Sequence, residues 1–394
     1  MPYLNPQDQA ACIEFLRDLI RIRSYSGEEG ALAARVAAEM KQLGFEQVYQ
    51  DRAGSVIGRV GKGTQRLLFN GHMDTVGIGN PATWSDDPFS GALRGGMVYG
   101  RGAVDMKSGL AAVIYSVKAL LDNDLPLRGE LVVAAVVQEE PAEGVAMRVL
   151  VEEEGLWPSF VVLAEPTALD IALGHRGRVE LLVAVEGRAC HGSAPELGEN
   201  ALVAASKVIF GVELLAQQLA EDARLGKGSI AVTGLHCPSS SRNMVPDHCE
   251  LIIDRRLTLG ETSERAVHEV QQILEREGVR GEVKIAPRET RTYTGYLSRG
   301  QEYYPPWLMP DDSPLVKAAL RGAERALEHR PRLRLWSFST DGAYTRGEAG
   351  IPTIGFGPGD DRLAHTANEQ VAVSDVLLAV EGYAQIALEL VGKR

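Results

Sequence analysis

RLLFNGHMDTV, residues 66–76, and ELVVAAVVQEE, residues 130–140, decide the fold. Each is a short apolar run that ends in ionisable side chains, the form taken by a strand covered on both faces in a parallel sheet. SFVVLAEPT (159–167) and IPTIGFGPGDDRLAHTANE (351–369) repeat it, and GRGAVDMKSG (100–109) sets an acid between a Gly-rich turn and the helical text LAAVIYSVKALL (110–121). Short Val/Ile/Leu runs alternating with helical stretches predict an α/β fold, a mostly parallel twisted sheet with helices on both faces. Such sheets place ligands beyond the carboxyl ends of their strands. His72, Asp105, Glu140, Glu165 and His365 would therefore share one crevice, where two imidazoles and three carboxylates suit a pair of divalent ions.

The 394 residues exceed what most single cores fill, so two domains are expected. Hydrophobic residues at 45% and charged residues at 24% describe an ordinary globular chain. A net charge of −12 without a clustered Lys/Arg face argues against nucleic acid, whose phosphates would be repelled. Cys12, Cys190, Cys237 and Cys249 form no CxxC pair, which predicts reduced thiols and no disulfide. The opening MPYLNPQDQAACIEFLRDL lacks the basic start of a signal peptide, and no apolar stretch approaches the ~18 residues that span a bilayer. A cytoplasmic protein without a membrane partner is expected.

Apolar residues at helical spacing predict two opening helices, over 7–24 and 27–43. From about Arg178 to Glu289 the text changes to a strand, VELLVAVEG, a helix over 201–219, two strands, SIAVTGL and CELIIDRRL, a helix over 263–277 and a last strand, EVKIAP. This β-α-β-β-α-β order predicts an inserted ferredoxin-like domain over 178–290. The catalytic domain would then comprise 1–177 and 291–394. The insert would act as a lid and as the surface of a homodimer. TYTGYLSRGQEYYPPWLMPDDSP (292–314) reads as an ordered surface loop leading into a helix from Pro314.

Taken singly, the candidate residues are ambiguous. His72 in GHMDTV is a good metal ligand with Asp74 as a partner for its second ring nitrogen, or equally a core histidine bonded to a nearby acid. Asp105 is a ligand or a helix N-cap. Glu139 and Glu140 would repel each other at a strand end unless a cation or proton lay between them, and spacing does not say which of the two binds metal.

In order along the chain, GHMDTV, YGRGAVDMKSG, VVQEEPAEG, LAEPT, HGSAPELGENA, DRRLTLGE, FSTDGAY and AHTANE resemble the di-zinc amidohydrolases and metallopeptidases that include aminoacylase, acetylornithine deacetylase, succinyl-diaminopimelate desuccinylase and carboxypeptidase G. The resemblance runs through nearly the whole chain. It implies two Zn²⁺, with Co²⁺ or Mn²⁺ as alternatives, bridged by Asp105. His72 and Glu165 would complete one site, Glu140 and His365 the other. It also implies Glu139 as general base and then acid toward a metal-bridged hydroxide, Asp74 as the residue that orients His72, and His191 as an oxyanion donor from the neighbouring subunit. The bland alternative for His191 is a loop residue capping the helix after Asn200. Asn243 and Arg256 would bind the substrate's carboxylate, with Arg242 and Arg255 close enough to share that role, and Thr340 and Asp341 would line its pocket.

GHRGR, DRRLTLGE, WSFSTDGAY and IPTIGFGPG look similar to the branch linked to selenium metabolism, in which Asn commonly stands at the position of Asp341. The implied reaction is hydrolysis of an amide next to a free carboxylate, in an N-acyl amino acid or a short peptide. A dipeptidase or carboxypeptidase is the alternative within this class, and a silent amino-acid binder the alternative outside it. No GxSxG elbow is present, VGKGT (60–64) lacks the elements of a phosphate loop, and Cys190 beside His191 has no third residue to complete a dyad. His175 and Arg176 read as hinge or pocket residues.

Overall fold

The apolar runs that end in ionisable residues become neighbouring parallel strands in the computed structural model, which describes residues 3–125 and 127–392. Glu130–Val136, Arg66–His72, Phe160–Leu163 and Thr353–Gly355 lie side by side in that order at the centre of a nine-stranded sheet. Every residue of Glu130–Val136 is buried, as helices on both faces require. Outside this quartet the sheet is mixed. Val56–Gly61 runs antiparallel to Glu130–Val136, and Ile171–His175 antiparallel to Thr353–Gly355. Parallel pairing is thus concentrated where the strand ends carry the candidate ligands.

Helix Lys107–Asp122 packs on the Arg66–His72 strand and against the helix Val373–Val391. Leu110, Val113, Ile114, Val117 and Leu120 are at most 2% exposed. Burying each of these side chains contributes about 1.5–3 kcal/mol, which fixes the helix firmly on the sheet. Gly109 lets its first turn press against the end of the Phe160–Leu163 strand, since a Cβ there would collide with the Ala164 carbonyl oxygen. The loop bearing Asp105 is thereby set beside the strand end bearing Glu165.

The segment between these halves forms a second layered unit. Its sheet has the order Ser229–His236, His248–Leu257, Gly177–Glu186, Gly281–Ile285, all antiparallel, with helices Ala201–Gln218 and Ser263–Arg276 between strands in sequence. First and third strands are adjacent at the centre, the ferredoxin-like arrangement. Burial alternates strictly along His248–Leu257, so one face is covered by helices and the other is not. Val179, Leu181, Leu251, Ile253, Val208 and Val270 belong to a core separate from that of the main sheet.

Three expectations are corrected. The 292–314 stretch is not a plain loop: Pro287–Arg291 and Leu297–Gln301 form a hairpin, and Tyr303–Tyr304 adds to the Gly177–Glu186 strand before helix Pro314–Leu327 begins. Cys237 and Cys249 are joined in a disulfide, with Cα atoms 4.2 Å apart. The antiparallel register carries them opposite each other just past the His236–Glu250 pair, a proximity that spacing of twelve residues along the chain does not reveal. This removes the cysteine argument for a reducing compartment. Finally, helix Ala201–Gln218, with 18 residues and a mean hydropathy of 1.3, is long and apolar enough by length and composition to cross a membrane. Its Ala205, Val208 and Val212 side chains are instead buried against the insert's sheet, which commits that face to the protein.

Candidate metal centre

Four strand ends and one helix start supply the cluster. His72 is the last residue of its strand, Glu139 and Glu140 follow Glu130–Val136, Glu165 follows Phe160–Leu163, and His365 lies in the loop beyond Thr353–Gly355. Asp105 stands just before helix Lys107–Asp122. Two of these turns have unusual backbone: Gln138 at φ 59° and His365 at φ 60° occupy the left-handed region, which non-glycine residues adopt at a cost and often at functional sites.

Asp105 faces both ways. Its Oδ1 lies 3.0 Å from His72 Nε2, and its Oδ2 lies 3.2 Å from His365 Nε2. His72 Nε2 is also 3.6 Å from Glu165 Oε1, and His365 Nε2 is 3.0 Å from Glu140 Oε2. Ligand bonds of about 2.0–2.1 Å at tetrahedral angles put neighbouring ligand atoms about 3.3 Å apart, so both groupings match the edges of zinc-sized sites. His72 with Glu139 and Glu165, and His72 with Asp105 and Glu140, each bring ligand atoms within 4.8 Å of one another.

The charges point the same way. Burial pushes the Glu139 and Glu165 carboxyls well above the usual range, with His72 opposing and neighbouring carboxylates adding to the effect. Burial disfavours a charged His72, yet Glu165 and Asp105 hold its pKa well above the usual value. Hydrogen bonds to Asp105 and Glu140 push His365 up to about 10. Clustered buried carboxylates of this kind are stabilised by cations, and the donor set of imidazole and carboxylate suits a borderline divalent metal. Buried Glu139 Oε1 has no hydrogen-bond partner among the described residues, leaving an acceptor open beside the ligand groups.

Asp74 does more than face His72. Its carbonyl oxygen lies 2.9 Å from His72 Nδ1, while its carboxylate is 3.6 Å away. The carboxylate instead accepts the backbone N–H groups of Glu139 and Glu140 and the hydroxyl of Ser26. One residue therefore ties the imidazole to the turn that carries both glutamates. Glu369 plays the matching part for Asp105. Fully buried and paired with Arg101 at 2.6 Å, it accepts the N–H groups of Gly102, Val104 and Asp105.

The other expected residues divide. Arg256 lines a cavity of about 340 Å³ together with Asp105, Glu139, Glu140, Glu165 and His365. It is gripped by Asp254 through two bonds of 2.8 and 3.1 Å. Thr340 and Asp341 do not line that cavity; the adjacent Phe338 and Ser339 do. Both expected residues are buried and committed elsewhere. Thr340 donates its N–H to His175, and Asp341 accepts from Asn70 and from the N–H of Gly144, which anchors the 338–344 loop.

His191 and Asn243 meet each other on the two-residue pairing of Cys190–His191 with Met244–Val245, exposed and outside the cavity wall. Arg255 is buried against Glu261 and Glu269, so it cannot share a substrate, and Arg242 is exposed. His175 is a buried structural group. Its Nδ1–H donates to the Arg176 carbonyl, and burial lowers its pKa to about 4. Arg176 donates to the Lys227 carbonyl.

Sequence reasoning missed Ser26, Glu369, Glu143 and Arg178. The last two line the cavity, and their only local signals were the acid in EEPAEG and the second arginine of GHRGR.

Residues 68–389 match the sequence model of the group described as Peptidase family M20/M25/M40. The Escherichia coli (strain K12) protein YgeY, itself uncharacterized, is 37% identical over 96% of this chain and 94% of its own. Succinyl-diaminopimelate desuccinylase 2 of Ruegeria sp. (strain TM1040) is 26% identical over 96% of this chain and 95% of its own. Among solved structures, the Bacillus subtilis YXEP protein, a dinuclear metal binding peptidase, superposes with a TM-score of 0.71 at 14% identity, covering 98% of both chains.

Proposed function

The chain belongs to peptidase family M20/M25/M40, and from that membership we propose a dinuclear metal hydrolase that cleaves an amide in a small substrate bearing a free carboxylate. The observation that carries this reading is Asp105, whose two oxygens face separate His/Glu groupings. His72, Glu165 and Asp105 would hold one ion, and Glu140, His365 and Asp105 the other, with zinc the first choice and cobalt or manganese possible. Bound there, two divalent ions would supply Lewis acidity to the scissile carbonyl and a lowered pKa for water.

The chain's own residues do the rest. Glu139, with its open Oε1, takes the attacking water's proton and returns it to the departing amine. Arg256 and its neighbours in the cavity wall draw the carboxylate-bearing end into place. His191 and Asn243 lie away from this chain's own cavity, which suits donation across a dimer. A second copy would cover the exposed Leu202, Val203, Phe210 and Leu214 of helix Ala201–Gln218 and Leu235 of the edge strand.

Glu139→Ala tests the reaction. The variant should keep its metal by elemental analysis and lose on the order of 10²–10⁴ in turnover, measured on a panel of Nα-acetyl amino acids, Nω-acetyl diamino acids and dipeptides. Wild-type turnover by this variant would refute the assigned base. Stoichiometric metal in the unmodified protein without hydrolysis of any panel member would favour a binding protein instead.

A further inference from the structure

Glu143 and Arg178 stand side by side in the wall of the same 340 Å³ cavity without satisfying each other. Arg178 stands 3.8 Å from Glu143, 3.8 Å from Asp254 and 4.0 Å from Glu302, all longer than hydrogen bonds, and its buried Nε has no partner among the described residues. Glu143 accepts from the Ser339 hydroxyl at 2.5 Å through Oε1, while its buried Oε2 is unpartnered among the described residues; the side chain is only 8% exposed. The ring of Tyr304 supports the Arg178 guanidinium 5.5 Å from its centroid. Arg256, the other cation of the wall, is already held by Asp254. A buried carboxylate and a guanidinium only one-quarter exposed, kept just out of hydrogen-bond reach, are costly, and a ligand that bridges them removes that cost.

We propose that this pair receives a zwitterionic α-amino-acid head, its carboxylate on Arg178 and its ammonium on Glu143. The inference rests on the reading of the metal centre as an amide hydrolase and narrows its substrate. Donor and acceptor lie side by side, so they suit an ammonium and a carboxylate on one carbon. The two ends of a dipeptide, separated by the scissile bond, do not fit so close a pair. An N-acyl α-amino acid lacks the ammonium altogether, since its α-nitrogen is the amide. The favoured class is therefore an amide on the side chain of a free amino acid, an Nω-acyl diamino acid, with the head at Glu143 and Arg178 and the amide at the metals.

Calorimetric titration of the metal-loaded protein with three probes of matched chain length tests this without turnover. L-norleucine carries both charges, hexanoate only the carboxylate, and pentylamine only the ammonium. L-norleucine should bind about tenfold or more tightly than either, the worth of one charge-assisted hydrogen bond. Glu143→Gln should erase its advantage over hexanoate, and Arg178→Gln its advantage over pentylamine. Equal binding of the three probes, absence of binding, or a preference that survives both substitutions overturns the proposal. The three-probe comparison needs no variant, so misfolding of either leaves the test intact. Hydrolysis of Nα-acetyl amino acids without the probe preference would sink this inference and leave the hydrolase reading standing. The preference without hydrolysis of any amide, Nε-acetyl-L-lysine included, would do the reverse.

Discussion

Asp105 reaches toward His72 with one oxygen and His365 with the other, and its own position depends on Glu369. A single buried carboxylate that takes three backbone N–H groups from residues 102–105 sets the loop's shape before any ion binds. Glu369→Gln replaces one acceptor oxygen with an NH₂ group that meets those donors head-on. We expect metal affinity to fall about 10- to 100-fold, the usual effect of losing a group that orients ligands, read by competitive titration with a chromogenic chelator. Unchanged affinity would show that Asp105 needs no such support. His175 gives a pH test. Its folded pKa of about 4 lies below the unfolded value near 6.5, so between these values the unfolded chain takes up a proton that the folded one refuses. Its contribution of about 3 kcal/mol is complete above pH 6.5 and is lost as pH falls toward 4. Denaturant melts of the native chain and His175→Gln should differ more at pH 7 than at pH 4.5; a constant gap would contradict the assignment.

At the scale of elements, helix Ala201–Gln218 is the exposed counterpart of the buried helix Lys107–Asp122. Its inner face packs through Ala205, Val208 and Val212, while Phe210 remains 70% exposed and Leu214 53%. Phe210→Glu with Leu214→Glu should leave the insert folded by circular dichroism and convert a dimer to a monomer by light scattering. A native chain that is monomeric at micromolar concentration would rule out the dimer. Elements of this kind were legible because their signals are local: apolar runs of strand length, helical spacing, and acids placed just past a strand end. The disulfide was not, because antiparallel register rather than chain spacing brings Cys237 to Cys249. The hairpin over 287–301 was hidden by charged and Gly residues that alternate without an apolar face.

Over the whole molecule, the candidate ligands were legible in the sequence because four of them lie at or past strand ends and Asp105 follows a Gly-rich turn, and four such strands are adjacent and parallel. The supporting residues were not, because Ser26, Glu143, Arg178 and Glu369 act through contacts with distant parts of the chain. Thr340 and Asp341 show the converse: a motif located the loop, but its turn aims Phe338 and Ser339 into the cavity and these two into the core. The contacts of Asp105 with His72 and His365 predict one dinuclear centre divided by that carboxylate. Anomalous diffraction at the zinc edge, from crystals of the zinc-loaded protein, tests it most directly. Two peaks should flank Asp105, one about 2 Å from His72 and Glu165 ligand atoms and the other about 2 Å from Glu140 and His365. A single peak, or two that leave Asp105 outside ligand distance of either, would contradict the account.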